Sequence, residues 1–119
     1  MGGRMSQRKG RSGEIEICRI LQANGIPAAP GQAVSFGETP DIVGVDGIHA
    51  EIKRRENVNL SAALEQAQRD SERFGGLPCV FHRANRKPWT VSMPLDSWLQ
   101  LYQQAQGCEC GGSCCRQNE

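Results

Sequence analysis

The sequence predicts an α/β domain in which a central mixed β-sheet is flanked by helices, in the order α-β-β-β-α-β-β-α. Three observations carry that prediction. Apolar residues recur at helical spacing in three segments, near residues 13–24, 60–74 and 94–104. Short β-branched or alternating runs lie between them, at 41–45, 48–54, 78–81 and 89–93. Glycine, proline and asparagine punctuate the junctions, at Asn24-Gly25, Asp46-Gly47 and Gly75-Gly76. With 119 residues there is room for one domain with a modest core. Helices packed on a mixed sheet bury such stripes most simply.

Residues 1–12 are rich in Gly, Ser and Arg and are expected to form a flexible basic arm. The first helix should open near Ser12 or Gly13 and stop at Asn24-Gly25, with Pro27 just beyond. Its inward stripe runs through Glu14, Ile17, Cys18 and Leu21, with Ile20 alongside. Ala33-Val34-Ser35-Phe36 is the best short strand in the segment that follows. Asp41 to Val45 is apolar and β-branched, Asp46-Gly47 turns, and Ile48 to Arg54 alternates. Leu60 to Phe74 reads as a helix with Leu60, Ala63, Leu64 and Ala67 on one side, stopped by Gly75-Gly76. Pro78-Cys79-Val80-Phe81 opens a buried strand, and Trp89 to Met93 returns beside it. The last helix starts at Pro94-Leu95-Asp96 and runs to about Gln104. The domain therefore spans 13–104, and 105–119 is a Cys/Gly-rich tail expected to be disordered.

The formal charge of +1 conceals an uneven distribution. Arg4, Arg8, Lys9 and Arg11 precede the first acid, and Arg54, Arg55, Arg83, Arg86 and Lys87 make two further basic spots. Such spots suit a polyanion such as nucleic acid, held through its backbone; a solvated face is the plainer reading of any one of them. No apolar run is long enough to span a bilayer, and the start lacks the apolar block of a signal peptide. Membrane association is not expected, and a cytoplasmic setting in a bacterium or a phage-infected host is. Of six cysteines, Cys18 and Cys79 sit in apolar segments and read as reduced core residues. Cys108, Cys110, Cys114 and Cys115 crowd a Gly-rich tail with irregular spacing and no nearby histidine, unlike the separated pairs of structural zinc sites.

On the strand 48–54, side chains alternate faces. Ile48, Ala50 and Ile52 share one, and His49, Glu51 and Lys53 share the other. Taken alone, the second set describes a solvated polar side. Asp41 shifts the balance, because a charge at the mouth of an apolar strand is costly unless used. A strict two-residue hairpin at Asp46-Gly47 would set Asp41 opposite Ile52, whereas a three-residue loop Val45-Asp46-Gly47 or a bulge would set it opposite Glu51. Convergence thus requires an odd loop or a bulge, and two clean extended strands would exclude it. Glu14, first in the buried helical stripe, could reach the same place. Carboxylates converging with a lysine suit phosphodiester hydrolysis: oxygen ligands favour a hard cation such as Mg²⁺, and an ammonium orients water or offsets phosphate charge.

These residues resemble a known superfamily. Pro40-Asp41 followed by Glu51-Ile52-Lys53 is similar to the PD-(D/E)xK nuclease pattern. Lys9-Gly10-Arg11-Ser12-Gly13-Glu14-Ile15-Glu16 resembles the N-terminal helix opening of archaeal-type Holliday junction resolvases, and Arg73-Phe74-Gly75-Gly76-Leu77-Pro78 resembles the segment after their central helix. Small phage-encoded nucleases look similar through Glu51 to Glu56, Leu64-Glu65-Gln66-Ala67 and Arg86-Lys87-Pro88-Trp89. The resemblance implies a restriction-endonuclease-like fold, dependence on Mg²⁺ or Mn²⁺, and a homodimer. By motif it assigns Asp41 and Glu51 as metal ligands, Glu14 as a further metal-binding carboxylate, and Lys53 as the catalytic lysine. It also implies a helix glutamine, for which Gln66 and Gln68 both qualify. The expected activity is cleavage of DNA, branched DNA above all, with Arg8, Lys9, Arg11, Arg54, Arg55, Arg83, Arg86 and Lys87 on the backbone. The competing expectations are a phage-type nuclease without junction selectivity and a non-catalytic DNA-binding module of the same fold.

Overall fold

The structure is a computed structural model that describes residues 2–31 and 39–107, with side chains described for 12–31 and 39–107. Its elements are helix α1 (Gly2–Ala23), strands β1 (Ala29–Pro30), β2 (Ile42–Val43) and β3 (Ile48–Arg54), helix α2 (Leu60–Phe74), strands β4 (Leu77–Arg83) and β5 (Thr90–Ser92), and helix α3 (Leu95–Gly107). From β2 onward the order is the predicted one, whereas β1 at 29–30 is not the strand expected at 33–36. Strands β3, β4 and β5 form a mixed sheet, with β3 and β4 parallel and β5 antiparallel to β4. Strands β1 and β2 make a separate antiparallel pair.

Parallel neighbours need a crossover, and α2 supplies it. Asn59 caps this helix by accepting a hydrogen bond from the Ala62 amide at 3.1 Å. Gly75, at φ 86°, ends it where a side chain would be strained. The β3–β4 register sets Ala50 beside Cys79, Glu51 beside Val80 and Lys53 beside His82. Both faces of the sheet are covered. Ala50, Ile52 and Cys79 pack with Ile17 and Cys18 of α1, and with Ala28 and Ile42. Val80 packs on the other face with Ala63 and Ala67 of α2, supported by Val58, Leu60 and Leu64. Each fully buried aliphatic side chain contributes about 1.5–3 kcal/mol.

Two expectations change. The helix backbone of α1 starts at Gly2 instead of Ser12 or Gly13. Arg4, Met5, Gln7, Arg8, Lys9 and Arg11 are good helix formers and no proline interrupts them. The predicted neighbours 41–45 and 48–54 do not form a ladder; β2 pairs with β1 instead. Gly44 is the physical cause. It takes φ 89°, and a Cβ there would lie 2.1 Å from the carbonyl oxygen of Pro27, so the chain leaves strand geometry after Val43. The predicted strand 33–36 and the cysteine tail lie outside the described residues.

Helix α3 buries only Ser97 and leaves Leu95, Trp98, Leu99, Leu101 and Tyr102 exposed. No helix among the described residues is long and apolar enough to cross a membrane.

Candidate metal centre

Strand alternation puts His49, Glu51 and Lys53 on the face of β3 that α2 covers. The solvated-face reading is thereby excluded, since His49 and Glu51 are each only 3% exposed. Their side chains meet, His49 Nε2 lying 3.2 Å from Glu51 Oε2. The imidazole stacks on Phe74, the last residue of α2, with ring centres 5.9 Å apart and planes 4° from parallel. Gly76 closes that end of the site. A Cβ on it would come within 2.8 Å of the His49 amide nitrogen, so glycine lets the α2–β4 turn press against β3.

Helix α2 presents a mixed face to the same strand. Ala63 and Ala67 are buried against the sheet, and Gln66 and Asp70 lie beside them at i+3 and i+7 from Ala63. Gln66 Oε1 accepts a hydrogen bond from Lys53 Nζ at 3.4 Å. Gln68, the other candidate, is exposed, and its main-chain oxygen accepts a hydrogen bond from the Ser71 hydroxyl at 2.8 Å. One turn on from Gln66, Asp70 meets His49 and Glu51: one ligand atom from each lies within 4.8 Å of the other two.

Asp41 reaches β3 by another route. Its Oδ2 accepts a hydrogen bond from the Ile52 amide at 2.9 Å. That amide belongs to the β3 edge away from β4, so Asp41 satisfies a donor that an open sheet edge would leave unpaired. The chain does depart from two clean strands, through Gly44 and through a tight turn in which the Ile48 amide donates to the Val45 carbonyl at 3.1 Å, with Gly47 at φ 80°. Asp41 is outside the His49–Glu51–Asp70 trio but close enough to feel the charges of Glu51, Lys53 and His49.

The electrostatics follow from this crowding. Burial pushes the Asp41 carboxyl above its ordinary pKa, and the Glu51 charge adds to the rise; the Ile52 amide and the cationic neighbours offset only part. Glu51 is also pushed up by burial, but hydrogen bonds from His49 and Asp70 and the charges of His49 and Lys53 outweigh that, leaving it below its usual range. Asp70 moves up, through desolvation first and then through its hydrogen bond and like charge with Glu51. The Glu51–Asp70 pair thus holds one carboxylate firmly charged and resists charging the second. An oxygen-rich donor set under that strain fits a divalent cation.

Glu14 is half-buried on the α1 face that carries Ile17 and Cys18. Burial, and after it the Glu14 charge, raises the Cys18 thiol pKa. Glu14 is not a member of the trio. The basic residues divide. Arg54 and Arg83, neighbours across the β3–β4 register, both pair with Glu16 of α1. Arg54 also donates to Asn85 Oδ1 at 3.0 Å, and Arg83 to the Lys87 carbonyl at 2.7 Å. Arg55, Arg86 and Lys87 are exposed, while the side chains of Arg8, Lys9 and Arg11 are outside the described residues. Sequence reasoning missed Asp70, although it falls three residues after Ala67 in the inward stripe of α2, where a carboxylate is out of place unless used.

Among solved structures, the chain is similar to Hjc from Archaeoglobus fulgidus, a Holliday junction resolvase from an archaeal hyperthermophile. The two are 26% identical, the match covers 70% of this chain and 73% of that one, and the TM-score is 0.50. This chain has the archaeal resolvase fold. The resemblance to PD-(D/E)xK nucleases that Pro40-Asp41 and Glu51-Ile52-Lys53 suggested is borne out at the level of fold. No family model and no curated protein matches the chain.

Proposed function

We propose that the protein is a divalent-metal-dependent DNA endonuclease that hydrolyses phosphodiesters, selects branched DNA of the four-way-junction type, and acts as a homodimer. One observation carries the reading. On a fold shared with a Holliday junction resolvase, Glu51 and Lys53 lie buried or half-buried on one face of β3, with Asp41 fastened to the Ile52 amide between them in sequence. Asp41 and Glu51 are the motif residues that would hold Mg²⁺ or Mn²⁺, with Glu14 the third carboxylate implied by the resemblance. When bound, such an ion polarises a phosphoryl oxygen and makes a water more acidic.

The chain's own residues do the rest. Lys53 brings a cation against the carboxylates, and Gln66 holds its ammonium by accepting one of its three protons. The remaining donors of Lys53 can meet a phosphate oxygen as its charge grows. The Ile52 amide keeps the Asp41 carboxylate in place at the sheet edge. Arg55, Arg86 and Lys87 are exposed for backbone contacts. Two strands of a junction must be cut, which calls for two centres, and the exposed apolar side chains of α3 supply surface for a second copy.

The test is cleavage of labelled four-way-junction DNA, beside linear duplex and single strands, with Mg²⁺, Mn²⁺ or EDTA, by wild type and by Lys53→Ala. Junction cutting that needs the metal and disappears in the variant is expected. Equal cutting of every substrate would remove junction selectivity, and binding without cutting in any divalent metal would overturn the nuclease reading.

A further inference from the structure

The motif explains Asp41, Glu51 and Lys53 and leaves His49 and Asp70 without a task. Both are expensive where they stand. His49 is as buried as Glu51, and Asp70 brings a second carboxylate against Glu51. Around an ion with bonds of about 2.1 Å, adjacent ligands stand about 3.0 Å apart and opposite ligands about 4.2 Å apart. The 3.2 Å between His49 Nε2 and Glu51 Oε2 suits adjacent positions, and the 4.8 Å limit for the trio needs only a small contraction. The imidazole lies parallel to the Phe74 ring, with centres 5.9 Å apart, which restricts its orientation. A cleft of about 300 Å³ borders the trio at His49, lined also by Phe74, Pro40, Gly44, Asp46 and Gly76, while Asp70, only partly buried, opens it on the side of α2.

We propose that His49, Glu51 and Asp70 form a cation position of their own on the α2 side of Glu51, sharing that carboxylate with the Asp41 side, and that its imidazole selects a first-row transition ion such as Mn²⁺ over Mg²⁺. The inference rests on the metal-dependent reading of the centre and extends it from oxygen ligands to a nitrogen. An imidazole is a poor ligand for Mg²⁺, which prefers oxygen and gives up its waters reluctantly, and a good one for later divalent ions. The Asp41 side offers oxygen alone. One centre would then carry two positions of different preference, with Glu51 common to both.

The experiment is titration of the full metal-free chain with Mn²⁺ alone, followed by pulsed electron paramagnetic resonance for coupling to a histidine nitrogen. The expected result is a nitrogen-coupled Mn²⁺ that vanishes in His49→Gln, binds at least tenfold more weakly in Asp70→Asn, and survives in Asp41→Asn. A tenfold excess of Mg²⁺ should leave the coupling in place. His82, which pairs with Ser92, is the other histidine; coupling that persists in His49→Gln would belong to it and overturn the proposal. So would bound Mn²⁺ with no nitrogen coupling in the wild type. If His49→Gln fails to fold, Asp70→Asn decides, because Asp70 is only partly buried: unchanged affinity there would overturn the proposal. Cleavage assays separate the two readings. A chain that cuts junctions without nitrogen coupling loses this cation position and remains a nuclease, whereas coupling without cutting keeps the position and ends the nuclease reading.

Discussion

The two faces of β3 are equally hidden and chemically opposite. Towards α1 the strand turns Ala50 and Ile52 into an aliphatic cluster with Ile17, Cys18 and Ile42. Towards α2 it turns His49, Glu51 and Lys53, which meet Gln66 and Asp70. Burial of the first face stabilises the fold. Burial of the second costs stability, because two carboxylates, an imidazole and an ammonium lose water and recover it only in part through one another. Sequences that break the usual rules of burial in this way are expected to do so at functional or strained sites. Alanines at 63 and 67 let α2 come close enough to cover that face while leaving space for the long polar side chains.

Adjacent residues should therefore fail in opposite ways. Lys53→Met keeps the length of the side chain and removes its charge. It should lower junction cleavage by about 10²–10³-fold, some 3–4 kcal/mol of barrier, with little change in the denaturant midpoint. Ile52→Ala should cost about 2–4 kcal/mol of folding stability, read as a lower midpoint, while folded protein retains most of its cleavage rate. Loss of stability in Lys53→Met equal to that in Ile52→Ala would make the polar face a structural network and break the contrast. A smaller effect sharpens it from the other side. At neutral pH Asp70 is the carboxyl that opposes the fold, since folding raises its pKa: its favourable contribution is complete at pH below its ordinary value and is lost as pH rises through the folded value. Glu51 runs the other way, contributing above its ordinary pKa and losing that contribution as pH falls through its lowered one. Asp70→Asn should then stabilise the metal-free protein at pH 7 by on the order of 0.5–1 kcal/mol, flatten the decline above the acid range, and weaken Mn²⁺ binding. Destabilisation at pH 7 would mean that Asp70 serves the fold.

The apolar face was far easier to read from sequence than the polar one. Helix periods and β-branched runs gave α2 to the residue and placed Ile17, Cys18, Ala50 and Ile52 inside. Strand parity puts His49, Glu51 and Lys53 together, and of the two glutamines it is Gln66 that the helix turns to Lys53. What parity could not supply was the company of α2, because Asp70 reaches β3 only through the packing of a helix that starts six residues after the strand ends. Asp41 illustrates a second gap. Strand parity treats it as a side chain opposite a side chain across a hairpin, yet it binds a backbone amide beside a strand that β2 does not pair with. The close approach of Gly44 to Pro27, which breaks that hairpin, is a contact between distant segments and leaves no periodic trace. The short pairing of β1 with β2 is equally silent, two residues being too few for alternation to register.

The same contrast extends to the end of the sheet, with the smallest expected effect. Arg54 and Arg83 are side by side in the β3–β4 register, where like charges repel, and Glu16 of α1 answers both. Glu16 thus ties the helix on the apolar face to cations expected, from sequence, to touch DNA. It occupies them as a phosphate would, since carboxylate and phosphate both offer anionic oxygens to a guanidinium. Replacing it by Gln should cost no more than about 1 kcal/mol of stability, since the pairs are partly exposed and screened. The released arginines should strengthen DNA binding at low salt and steepen the dependence of log affinity on log salt by up to about 0.9 for each arginine that gains a phosphate. Binding measured from 50 to 200 mM salt checks this. An unchanged slope with a lowered midpoint would show that Arg54 and Arg83 serve only to fasten α1 to the sheet, and would leave Arg55, Arg86 and Lys87 as the contacts to test next.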